Sequence, residues 1–193
     1  ELDQAKMLDA LLDWHAETAS TGALALLPEA EKDQVPLLQA MYRANGLSLV
    51  GALFPAIIDG EQFRSHGALL LPFTEMPDSA LLPNLPADAN AAAARIANAV
   101  EPLLTDAGNT LFLIFDAMLP NIASILDALY LLLADRVVYA GVNAGSETFQ
   151  PMSCLFDDHS LVADGVLCLL LPGKQGAAID HGYLAPKEII TAT

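Results

Sequence analysis

Basic residues are scarce. Eight lysines and arginines stand against 24 aspartates and glutamates, a formal net charge of −16. Nucleic acid and anionic membrane surfaces are repelled by that balance, so neither is an expected partner. Aromatics are only 6% of the chain while hydrophobic residues reach 54%. Alanine and leucine must therefore carry the burial, and the composition is not that of a disordered chain. No run of about 18 apolar residues is free of charge. The longest candidate, residues 122–138, is broken by Asp127, Asp135 and Arg136, so no membrane span is expected. The opening Glu1-Leu2-Asp3-Gln4 has neither Met nor a basic segment and does not read as an intact signal peptide.

Cysteine is nearly absent. Cys154 and Cys168 have no C-x-x-C spacing, which leaves no redox or metal motif and makes a reduced, cytoplasmic setting the expectation. His15, His66, His159 and His181 are scattered without metal spacing. H-E-x-x-H, G-x-S-x-G and both glycine-rich nucleotide patterns are missing. No metal and no cofactor are expected.

What is present is apolar patterning in two related blocks. Leu8, Leu11, Leu12 and His15 recur at helical spacing over residues 2–18. A short buried strand follows at residues 23–27. A helix opening at residues 28–31 then turns Leu37, Leu38, Met41 and Tyr42 to one face. Strands are read at residues 47–54 and 67–72. Pro77, Pro83 and Pro86 predict a loop over residues 73–86. Asp88 is placed to cap a third helix through Ala91, Ile96, Val100 and Leu104.

Residues 110–115 are apolar throughout, the pattern of a strand covered on both faces. A fourth helix turns Ile122, Ile125, Leu126, Leu129 and Leu133 inward. Residues 137–140 are a strand that breaks at Gly141, and residues 141–146 are a small-residue turn. An apolar run at residues 152–156, a sharp turn at Asp157-Asp158-His159 and a return strand through residues 164–173 complete a meander. A last short strand is read near residues 178–183. The order strand, helix, strand, hairpin thus occurs over residues 23–72 and again over 110–172, with Gly51 matching Gly141 and Gly67 matching Gly165. The expectation is one α+β domain over residues 1–193: layered mixed sheets with outer helices, built as two duplicated βαβββ halves.

Leu111-Phe112-Leu113-Ile114-Phe115-Asp116-Ala117-Met118, residues 137–146, Leu155-Phe156-Asp157-Asp158-His159 and residues 164–173 together resemble the N-terminal domain of the FIST family. The likeness covers most of the chain from Leu47 onward. His181-Gly182-Tyr183 through Thr191-Ala192-Thr193 looks like the lead into that family's C-terminal domain, so residues 174–193 are read as a lead-in to a domain absent from this chain. The resemblance implies a sensory module of a signal-transduction protein, binding a small ligand such as an amino acid. It also implies a signalling output domain or protein as partner, and no catalytic residues. Where the family often has Gly-Cys followed by small hydroxyl residues, this chain has Gly51-Ala52-Leu53-Phe54.

The residues themselves point to a site. Asp116 closes one apolar strand and Gly141 the next, and a crossover helix between them brings both to one sheet edge. Gly141, Asn143, Gly145 and Ser146 would offer backbone N–H groups and polar side chains to a carboxylate. Asp116 would take an amine, and Phe54, Phe115 and Met118 would supply an apolar wall. A hydrolase-like enzyme using Asp116 with a histidine or Cys154 is the alternative. An interaction scaffold without a ligand is another.

If Asp157-Asp158-His159 is a hairpin turn, Cys154 lies opposite residues near Val162 and out of reach of Cys168, since a disulfide needs Cα atoms within about 7 Å. Intact mass after alkylation of the unfolded chain without reductant should show two adducts; their absence would refute the reading.

Overall fold

A computed structural model describes residues 4–106 and 108–173. The first half runs α1 (Gln4–Thr18), β1 (Gly22–Pro28), a 3-10 turn (Glu29–Gln34), α2 (Val35–Ala44), β2 (Ser48–Phe54), β3 (Ile57–Asp59), β4 (Gln62–Arg64), β5 (Leu69–Phe73) and β6 (Asp78–Leu82). The second runs α3 (Ala89–Val100), β7 (Asn109–Asp116), α4 (Ile122–Leu133), β8 (Val137–Ala144), β9 (Leu155–Asp157), β10 (Leu161–Val162) and β11 (Val166–Pro172). The strand expected near residues 178–183 and the lead-in at 174–193 lie outside the described residues.

The strands form two main sheets, ordered β10-β9-β2-β1-β5 and β6-β11-β7-β8, with β3-β4 as a separate hairpin. The helical crossovers α2 and α4 make β1–β2 and β7–β8 parallel, and the remaining pairings are antiparallel. This is the expected α+β class with mixed sheets. Alternation along each strand decides the layers. In β7, Leu111, Leu113 and Phe115 pack with α3 and α4, while Phe112 and Ile114 pack with the first sheet. In β11, Val166, Cys168 and Leu170 go with the helices, and Leu167 and Leu169 with the first sheet. The other face of the first sheet is covered by Leu11 and Trp14 of α1 and by Val35, Met41 and Tyr42 of α2. The molecule is a four-layer α/β/β/α sandwich.

The three-strand cores β5-β1-β2 and β11-β7-β8 share strand order and direction. Gly51 and Gly141 also share a setting. A Cβ at either would strike the carbonyl oxygen of its parallel partner, 2.3 Å from Ala25 O and 2.1 Å from Leu113 O. Gly67 and Gly165 do not correspond in this way. Gly67 has φ +104 and open space around it, whereas a Cβ at Gly165 would meet Leu82 O at 2.3 Å. The halves also exchange strands: β6 joins the second sheet beside β11, and β9-β10 joins the first beside β2.

Two boundaries differ from the sequence reading. The segment expected as loop holds β6, because Pro77 and Pro83 flank this edge strand instead of interrupting its pairing to β11. The break expected at Gly141 does not occur. β8 continues to Ala144, since Gly141 accommodates a close approach of β7 within the strand and is not a turn residue.

Gly51 faces a second obstacle: a Cβ there would also lie 2.3 Å from the Phe156 ring. Gly51→Ala should therefore lower stability by about 1–3 kcal/mol, the usual range for overpacking. Urea unfolding should show a lower midpoint at unchanged slope; wild-type stability would mean that β1 and Phe156 yield freely.

Candidate functional site

The carboxyl ends of the strands meet at one junction. Asp116 ends β7 beside Ala144 of β8, and Ala117 N donates to Ala144 O at 2.8 Å. Gly145 N donates to Leu53 O near the end of β2 at 2.8 Å, and Leu53 N donates to Cys154 O at 2.8 Å. Gly145 has φ +142, a conformation that side chains beyond glycine rarely adopt. From β1, the 3-10 turn brings in Glu29, whose Oε2 accepts from Glu147 N at 3.1 Å. Lys32 lies three residues on, and in a 3-10 turn residues i and i+3 share a face.

Asp116 is only 2% exposed. Its Oδ1 accepts from Met118 N at 2.9 Å and its Oδ2 from Asp164 N at 2.8 Å, while its own N donates to Gly165 O at 3.0 Å. The carboxylate pins the exit of β7 to the entry of β11. The buried Cys154 thiol lies close enough to feel its charge. Burial, reinforced by the Asp116 charge, pushes the Cys154 thiol up to about 12, and burial pushes Cys168 up to about 12. Both cysteines are free. A thiol held protonated and sealed from solvent is a poor nucleophile.

The junction brings together Asp116 and Gly145, with Phe54 half-buried beside Leu53. Gly141 stands apart, paired with Leu113 within the strand. Asn143 pairs with Phe115, which faces the helices, while Ala144 packs toward the first sheet; Asn143 is thus on the face of β8 away from the junction. Several N–H groups at and just beyond the turn are already engaged. Gly145 N and Glu147 N are engaged as above, Thr148 N donates to Ser146 Oγ at 3.1 Å, and Phe149 N donates to Ser146 O at 3.2 Å. Ser146 Oγ also bonds Thr148 Oγ1 at 2.9 Å.

The histidines lie elsewhere. His15 is buried under α1, its ring bonded to Ser20 Oγ at 2.5 Å and Tyr42 Oη at 3.0 Å, and burial lowers its pKa. His66 pairs with Glu31 at the surface and His159 lies 3.7 Å from Asp158. His181 is outside the described residues. Among the described residues no cluster of three or more His, Cys, Asp or Glu side chains is placed to hold a metal ion.

Sequence reasoning missed Lys32. Arg43 binds Asp158 O, Arg64 pairs with Asp59, Arg95 binds Asn84 O and Arg136 pairs with Glu101. Among the described basic side chains, Lys32 alone has neither ion pair nor hydrogen bond, and its charge is felt at Cys154. The available signal was a cation set between Glu31 and Asp33 just past a strand end. A separate apolar groove of about 430 Å³ lies between α1, α2 and β5, lined by Leu11, Trp14, Leu38, Met41 and Leu70.

The family profile described as the FIST N domain matches residues 23–192. A comparison with curated proteins found no match.

Asp116→Ala should destabilise the fold by about 2–6 kcal/mol, since two part-buried N–H groups lose their acceptor at about 1–3 kcal/mol each. Asp116→Asn keeps one acceptor oxygen and should lose less. Denaturant unfolding of both decides it; an Asp116→Ala variant within about 0.5 kcal/mol of wild type, the range of inconsequential surface changes, would contradict this pinning role.

Proposed function

The chain belongs to the FIST N domain family, a sensory and non-catalytic family of signalling proteins, and from that premise we propose that it senses a small zwitterionic metabolite, an amino acid or close analogue. Binding without turnover, in the cytoplasm, would be passed to a signalling output domain or protein. Among the described residues no helix is long and apolar enough to cross a membrane.

The observation that carries the reading is the uncommitted Lys32 at the junction of strand ends. In a chain of net charge −16, a free cation is a specific attractor for a ligand carboxylate. Glu29, on the same face of the turn, is the group for the ligand amine. Phe54 supplies an apolar wall, with Gly145 and Ser146 beside it. Asp116 serves as a positioning residue beneath the ligand, because both its oxygens already accept backbone N–H groups. Gly141 and Asn143 shape the adjoining edge. Ligands of open sheets gather at such carboxyl ends.

A thermal-shift screen of amino acids and small metabolites should find a stabilising compound, since binding to the native state raises its stability by mass action. Calorimetry with the best compound should show at least about a tenfold weaker affinity in Lys32→Ala, because a charged contact is worth on the order of 1.5–3 kcal/mol. Unchanged affinity with the fold intact would remove the ligand from this junction. Loss of affinity in Trp14→Ala instead would move it to the groove under α1.

A further inference from the structure

Five of the ten large apolar side chains exposed among the described residues lie on two adjacent elements: Leu126, Tyr130, Leu131 and Leu132 on α4, and Val142 on β8. The helix was expected to turn Leu126 inward, but it is 36% exposed, and Leu131 reaches 82%. The buried stripe is Ile125, Leu129 and Leu133. Leu126 and Tyr130, one turn apart, lie to one side of it, toward β8, where the Tyr130 ring packs on Tyr139 with centroids 5.9 Å apart. The Tyr139 hydroxyl is buried there without a hydrogen-bond partner. On this side the apolar flank of the helix runs to the edge of β8; Val142, which pairs with Ile114, lies on the strand's other face.

β8 is also an unguarded edge. Among the described residues it pairs on one side only, with β7. Edge strands are usually blunted by shortness, charge or proline. The other three edges follow that pattern: β10 has two residues, β5 contains Pro72, and β6 begins with Asp78. β8 has eight residues, Val-Val-Tyr-Ala-Gly-Val-Asn-Ala, with neither charge nor proline, and Gly141, Val142 and Asn143 are exposed.

We propose that this surface binds a second copy of the chain, with β8 pairing antiparallel to β8 of the partner across a two-fold axis and the two α4 helices packing above the seam. An antiparallel pair of identical strands is self-complementary, as a two-fold interface requires. It would join two four-stranded sheets into one and satisfy the open backbone groups of the edge. Charge favours this occupant. Two copies of a −16 chain repel over most of their surfaces, but Asp127 is the only charged residue within α4 and β8 has none. This face therefore lets a second copy approach with few carboxylates opposed. The proposal does not use Glu29 and Lys32, which carry the ligand reading and lie on the 3-10 turn after β1.

Sedimentation and size-exclusion chromatography with light scattering should give twice the 20.4 kDa chain mass at micromolar concentration. Val142→Lys and Leu131→Glu, both at exposed positions, should raise the dimer dissociation constant at least about tenfold while leaving the far-UV spectrum unchanged. Amides of β8 should exchange with solvent more slowly as concentration rises through that constant. A wild-type chain that stays at 20.4 kDa up to about 100 µM, far above the dissociation constants of specific complexes, would overturn the proposal. So would a dimer that survives both substitutions but is lost in Phe63→Glu, which would place the contact on the β3-β4 hairpin.

Discussion

The layer between the two sheets is the constraint on which the rest depends. Each sheet is covered on one face by helices and buries its other face only against its counterpart. Leu24, Val50, Ala52 and Leu155 on one side and Ile114, Leu167, Leu169 and Ala144 on the other belong to a single buried cluster. Burying a large aliphatic side chain fully is worth roughly 1.5–3 kcal/mol, so neither half could stand with this layer in water. The strand exchange follows from the same requirement. β9-β10 and β6 each leave the half in which they were made and pair in the other sheet, which ties the layer together with backbone hydrogen bonds.

The crossing of strands explains why the strand ends carry the candidate site. The chain passes between sheets after β5, β8 and β10, and at the exit of β8 and the entry to β11, beside the end of β7, its backbone groups need partners away from any regular ladder. Asp116 provides for two of them, and Gly145 turns the chain with its N–H on Leu53 O. Fixed in this way, the junction is a rigid base above which Glu29 and Lys32 stand on a short 3-10 turn. Rigid support beneath a few polar groups is what a small-ligand site requires. It also withdraws Asp116 and Cys154 from solvent, since one is buried with both oxygens engaged and the other is protonated and enclosed.

The outer helices are not equivalent. α3 is built from small residues, with Ala92, Ala93 and Ala97 buried, and packs closely on its neighbours. α4 is apolar nearly all round yet is covered on only one side. A helix of that composition is normally buried on every side. The contrast between these two helices, lying on the same sheet, singles out the α4–β8 surface.

Much of the architecture was legible in the sequence. The uninterrupted apolar run of β7 required cover on both faces, and it has a sheet on one and helices on the other. Asp88 could be read as a cap, and it accepts from Ala91 N at 2.8 Å. The Asp157-Asp158-His159 turn and the placement of Cys154 opposite Val162 followed from hairpin spacing, and Cys154 N donates to Val162 O at 2.9 Å. These features are local, set by periodicity and turn chemistry within a few residues. What only the tertiary structure decided was partnership across long separations. Glycine at 141 serves either a turn or a close strand approach, and the position of Leu113 selected the second. Asp116 could face a ligand or the chain, and Asp164, 48 residues away, claimed it. Lys32 offered only a local hint, a cation between Glu31 and Asp33 just past a strand end; it stands out because every other described basic side chain found a partner in the fold.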